Sequence, residues 1–129
     1  MNHGLSSATV AAIHGVFSRF PSVERAVLYG SRAKGSFRPG SDIDLTLHGK
    51  DLTPTLLGDI ADALDDLLLP YTIDLSIFAD LDHPDLRNHI ERVGMVFYER
   101  PVMDGDLDAF IEAKLRGKVR VKGAKDEED

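Results

Sequence analysis

Apolar residues along the chain keep two alternating rhythms. Val10, Ile13, Val16, Phe17 and Phe20 recur at intervals of three and four, which predicts a helix from about Ser6 to Phe20 with one buried stripe. Pro21 closes it, because proline disfavours helical geometry in the residue before it. Val23 to Tyr29 is rich in β-branched and aromatic residues and runs into a glycine, the pattern of a strand. Gly30-Ser31 then opens a short helical turn, and Phe37-Arg38-Pro39-Gly40-Ser41 has the chemistry of a loop. From Asp42 to His48 the alternation is strict, with Ile43, Leu45 and Leu47 on one face and Asp42, Asp44, Thr46 and His48 on the other.

Thr53 is placed to cap the next helix, with Pro54 at its first position. Leu56, Leu57, Ile60, Leu64, Leu67 and Leu68 make its expected buried stripe, and Pro70 ends it. A third strand is predicted from Tyr71 to Phe78, carrying Thr72, Asp74 and Ser76 on one side. Asp82, Pro84 and Asp85 mark the capped, acidic start of another helix with Leu86, Ile90 and Val93, ended by Gly94. Met95 to Tyr98 is a short fourth strand, and Asp106 to about Leu115 a last helix. From Arg116 basic and then acidic residues follow, the composition of a flexible polar tail. The order predicts an α/β (α+β) sheet with helices packed on one face, as a single domain over 1–115 with a tail over 116–129.

Composition narrows the classes. A length of 129 residues suits one core, and 43% hydrophobic with 29% charged residues is ordinary for a soluble globular chain. No apolar run approaches the roughly 20 residues that span a bilayer, and the N-terminus lacks the marks of a secretory signal. With no cysteine there are neither disulfides nor thiolate metal sites, so a cytoplasmic location is the default expectation. A net charge of −7 argues against a broad nucleic-acid footprint, though an acidic chain still binds nucleotides through the cations it recruits.

The chemistry concentrates between Gly30 and Asp44. Gly30 follows a strand and opens a turn, where backbone N–H groups lack intrahelical partners and favour an anion. The missing side chain at Gly30 lets a phosphate approach the backbone, and Ser31 adds a hydroxyl donor. Asp42 and Asp44, two apart on a strand, send both carboxylates from one face. Such a pair repels itself, and a divalent cation or a shared proton relieves it. Magnesium takes oxygen ligands while leaving coordination for substrate phosphates. Asp74 supplies a third carboxylate of matching parity if its strand lies beside the second. Three carboxylates suffice for two metals, the arrangement for in-line displacement at a phosphate.

Gly30-Ser31 followed by Ser41-Asp42-Ile43-Asp44-Leu45 resembles the GS…SDxDL signature of the DNA polymerase β-like nucleotidyltransferase superfamily. Roughly Val23 to Tyr98 is similar to its minimal members, the MNT proteins. The resemblance implies a small mixed sheet and a nucleotide phosphate site at Gly30 and Ser31. It also implies that two Mg2+ ions are held by Asp42, Asp44 and Asp74, with Asp74 helping to activate the acceptor hydroxyl. It favours Arg32 as a phosphate contact, and Ser41 is placed to face the nucleotide. Several MNT proteins are antitoxins that move AMP from ATP to a tyrosine of a helical HEPN toxin, and related ones pair with a substrate-binding helical protein. The expected partners here are therefore a nucleotide and such a helical protein, in a homo- or hetero-oligomer, without membrane and without nucleic acid. Two alternatives are a catalytically silent antitoxin that acts by binding, and an enzyme acting on a small molecule such as an aminoglycoside. All three carboxylates are present, which ranks the silent form second, and no substrate domain accompanies the motif, which weighs against the other.

Other polar groups have plainer readings. Lys34 and Arg38 are expected at the surface, and Ser41 most simply caps its turn. Asp80, Asp82, His83 and Asp85 look like a second metal cluster, but helix capping accounts for Asp82 and Asp85. Asp59, Asp62, Asp65 and Asp66 read as a solvated helix face, His14 as a packing residue, and His48 as a surface residue on the carboxylate face. Lys114, Arg116, Lys118, Arg120 and Lys122 belong with the polar tail.

Overall fold

A computed structural model of the chain describes residues 3–101. In chain order its elements are α1 (Ser7–Ser18), β1 (Arg25–Tyr29), α2 (Ser31–Lys34), β2 (Ile43–His48), α3 (Pro54–Asp65), β3 (Ile73–Ile77), a 3-10 turn (Phe78–Asp80), α4 (Pro84–Val93) and β4 (Met95–Glu99). The helix expected over Asp106 to Leu115 and the tail after it lie outside the described residues.

The four strands form one mixed sheet in the order β3-β2-β1-β4. β1 runs antiparallel to β2 and to β4, whereas β2 and β3 run parallel. The difference follows from the connections: a loop and a single helical turn return β1 to β2, while α3 crosses over to bring β3 back in the same sense. Strict alternation in β2 buries Ile43, Leu45 and Leu47 on one face, where they meet Ala26 and Leu28 of β1. Ile13, Val16 and Phe17 of α1 and Ile60 and Leu64 of α3 complete this cluster, so these two helices are the layer over that face. α4 meets the opposite face, with His89 edge-on to Tyr29 and Gly94 against Val27. Where β4 pairs with β1, a register shift beside Ala26 accommodates both Phe97 and Tyr98 in the core cluster. The ring of His14 packs edge-on against both, its Nε2 lying 2.6 Å from the Phe97 carbonyl. Among the described residues, no helix is long and apolar enough to cross a membrane.

Helix starts are set by side-chain caps. Ser6 Oγ accepts from the Thr9 N–H at 3.1 Å, and Thr53 Oγ1 accepts from the Leu56 N–H at 3.1 Å, with Pro54 opening α3. Thr53→Ala is therefore expected to cost about 1 kcal/mol, read as a lower urea midpoint at unchanged slope. α4 departs from the expectation that Asp82 caps it. His83 is the cap, its Nδ1 accepting from the Leu86 N–H at 3.2 Å, while Asp85 sits in the first turn. The end of α3 departs too. The helix stops at Asp65, and Leu68 is not part of a buried stripe but 88% exposed, at φ 55°.

Candidate active site

Register brings the aspartates together. Asp44 of β2 pairs directly with Asp74 of the parallel β3, and Tyr29 of β1 pairs with Asp44 from the other side. Side chains at paired positions share a face, so Tyr29, Asp44 and Asp74 form a row across the sheet, with Asp42 one step beyond the start of β2. Asp42 and Asp74 are exposed and Asp44 half-buried. Burial raises the Asp44 carboxyl above the usual carboxylate range, and the charges of Asp74 and then Asp42 raise it further, with His89 opposing them. Burial likewise raises the Tyr29 phenol, whose hydrogen bond with Ser76 opposes the push and whose neighbours Asp44 and Asp74 add to it. Ser76 Oγ in turn donates to Thr46 Oγ1 at 2.9 Å, a hydroxyl pair on the floor of the same face.

Gly30 joins the turn to this row. It adopts φ 75° and ψ −155° at the cap of α2, a conformation open to glycine and to few other residues. A Cβ there would also meet Asp44 Oδ2, so a side chain at this position would have to displace the carboxylate. α2 has only four residues, too short for a macrodipole of any weight. Anion affinity at Gly30 and Ser31 would therefore come from first-turn N–H groups and the Ser31 hydroxyl.

Arg32, expected as a phosphate contact, is held by groups of the chain itself. It is 1% exposed. Its Nε and Nη2 donate to the Ser41 carbonyl at 3.1 and 2.9 Å, and its Nη1 donates to the His3 carbonyl at 2.9 Å. The guanidinium lies 5.3 Å from the Phe37 ring centre and 4.9 Å from that of Tyr71. Ser41 Oγ accepts from the Arg38 N–H at 2.8 Å. Arg32 and Ser41 thus hold the loop that delivers Asp42, and Lys34 and Arg38 are exposed. His48, four residues along β2 from Asp44, stacks on Phe78 at 4.8 Å. Burial and then the nearby Arg25 and Arg87 lower its pKa.

Tyr29 and His89 are neighbours of the carboxylates that sequence reasoning did not single out. Tyr29 looked only like the end of a strand, because its partner is fixed by register. For His89 a signal existed: it lies three residues from Leu86 and four from Val93, on the inward stripe of α4.

What the arrangement offers is a carboxylate row, strained by its own charge, against a backbone turn suited to an anion. Among the described residues, no group of three or more His, Asp or Glu side chains is already drawn together as a metal cage. The mutual repulsion at Asp44 is nevertheless of the kind a divalent cation relieves.

Comparison with known proteins places the chain in context. Residues 11–102 match the family model described as polymerase beta, nucleotidyltransferase. No curated protein matches. Among solved structures, the chain is similar to a toxin–antitoxin with AMP-PNP, with 18% identity, a TM-score of 0.57 and coverage of 88% of this chain and 86% of that one. A tri-AMPylated Shewanella oneidensis HEPN toxin in complex with MNT antitoxin gives 17% identity, a TM-score of 0.56 and coverage of 88% and 87%. A third, the toxin–antitoxin MntA–HepT, gives 18% identity, a TM-score of 0.55 and 87% coverage of both chains. At these identities the similarity is one of fold.

Proposed function

The chain belongs to the polymerase β nucleotidyltransferase family, and we propose that it transfers a nucleoside monophosphate, AMP from ATP, to a tyrosine hydroxyl of a helical HEPN-type toxin. It would thereby act as a cytoplasmic antitoxin. The observation that carries this reading is the contact between the two halves of the motif. The backbone turn at Gly30 lies directly against the carboxylate of Asp44, itself paired with Asp74. A triphosphate on Gly30 and Ser31 would have its reacting phosphorus beside those carboxylates.

Asp42, Asp44 and Asp74 would hold two Mg2+ ions, which when bound neutralise the phosphates and the departing pyrophosphate. Asp74 is exposed where Asp44 is half-buried, so an incoming acceptor can reach it. It would take the acceptor hydroxyl's proton as the oxygen bonds to the α-phosphorus and the bond to pyrophosphate breaks. Arg32 and Ser41 keep Asp42 in place throughout. The similarity of fold to toxin–antitoxin complexes supports a protein acceptor.

The test is the product. Incubation with ATP and magnesium in an extract of the source cells should leave an adenylyl group on a tyrosine of one protein, identified by peptide fragmentation. A phosphoryl adduct, or adenylylation confined to the protein-free fraction, would overturn the reading.

A further inference from the structure

The turn between α3 and β3 holds a residue that folding alone does not favour. Leu68 closes α3 with its N–H donating to the Asp65 carbonyl at 3.0 Å, at φ 55°. This is the left-handed position at a helix end that glycine or asparagine normally fills, and a leucine there is strained. Its side chain recovers none of that cost by burial, being 88% exposed while Leu67 and Leu69 on either side pack against the core. Strain and exposure together at one residue point away from stability and towards contact with something outside the chain.

The place of the turn says what that contact is. Three residues beyond Leu68, Tyr71 lies under the Arg32 guanidinium, and the Thr72 carbonyl accepts from the Ile43 N–H at 2.9 Å. Asp74 follows. Asp74 is six positions beyond Leu68, at most about 21 Å of chain, well within the footprint of one protein interface of about 800 Å² per partner. Asp62, Asp65 and Asp66 are exposed on the approach to it. The geometry points to Leu68 as an apolar anchor for the acceptor protein, which would receive it in an apolar pocket rimmed by lysine or arginine. This rests on the protein-acceptor reading above.

Leu68→Asn separates the two explanations, because asparagine tolerates the left-handed position but fills no apolar pocket. The free variant should melt at or above the wild-type temperature. In α-labelled ATP, magnesium and source-cell extract, half-maximal labelling of the acceptor should need at least tenfold more extract, with the labelling rate at saturation and ATP affinity unchanged. Asp65→Asn with Asp66→Asn should weaken acceptor labelling several-fold in low salt and less in high salt. If wild type labels a protein and Leu68→Asn labels it equally well, the anchor is refuted while the proposed function stands. If wild type labels no protein, both fall. A wild type that sediments as a dimer and a Leu68→Asn variant that sediments as a monomer would assign the anchor to a second copy of the chain and overturn the proposal.

Discussion

Replacing Asp42 and Asp44 together by asparagine is expected to lower nucleotidyl transfer by at least on the order of 10³-fold, while the protein still folds. Metal-borne charge stabilisation in such sites is worth several kcal/mol, and each 1.36 kcal/mol is a factor of ten in rate. The fold should not suffer, because Asp42 is exposed and Asp44 lies on the face away from the core cluster. Asp44→Asn alone should even stabilise the metal-free protein at neutral pH. Its carboxyl is raised in the folded state by burial, then by Asp74 and Asp42, with His89 opposing. The folded protein then holds that proton to higher pH than the unfolded chain does, so the wild type loses stability as pH rises through the raised pKa. The advantage of the variant should shrink as pH falls below that range. Melting curves of both proteins across pH in chelator, read against transfer rates with magnesium, check the two halves of the prediction.

Arg32→Ala is expected to cost at least about 3 kcal/mol, with a melting temperature lower by about 12 °C. Three charge-assisted donations to the Ser41 and His3 carbonyls disappear, and Phe37 and Tyr71 lose the cation beside them. Arg32→Lys should recover little, since one ammonium cannot serve both carbonyls in the plane that the guanidinium does. At a temperature where both proteins are folded, the alanine variant should lose turnover through a misplaced Asp42. A phosphate-binding arginine predicts the opposite pattern, with unchanged denaturant midpoints and a raised KM for ATP.

What the sequence made legible was local. Alternation in β2 placed Asp42 and Asp44 on the face opposite Ile43, Leu45 and Leu47, and the structure buries those three. Thr53-Pro54 announced the start of α3 and the structure caps it there. The pairing of Asp74 with Asp44 needed one inference beyond local pattern, that a helical crossover brings the next strand back parallel and adjacent. What local pattern did not reach were contacts between distant segments and competition at helix ends. That Arg32 donates to the Ser41 and His3 carbonyls could not be read from its place beside the Gly30 turn. Leu68 continues a leucine stripe on paper, but α3 has already ended three residues earlier. At α4, His83 stands one position closer to the helix than Asp82 and takes the cap.

The most direct measurement is paired label transfer with magnesium, using ATP carrying its label on the α-phosphate in one reaction and on the γ-phosphate in the other. A nucleotidyl site built from Gly30, Ser31 and the three aspartates predicts label on the acceptor from the α-position only, abolished by Asp42→Asn with Asp44→Asn. Label from the γ-position, or α-label undiminished in the double variant, would contradict it.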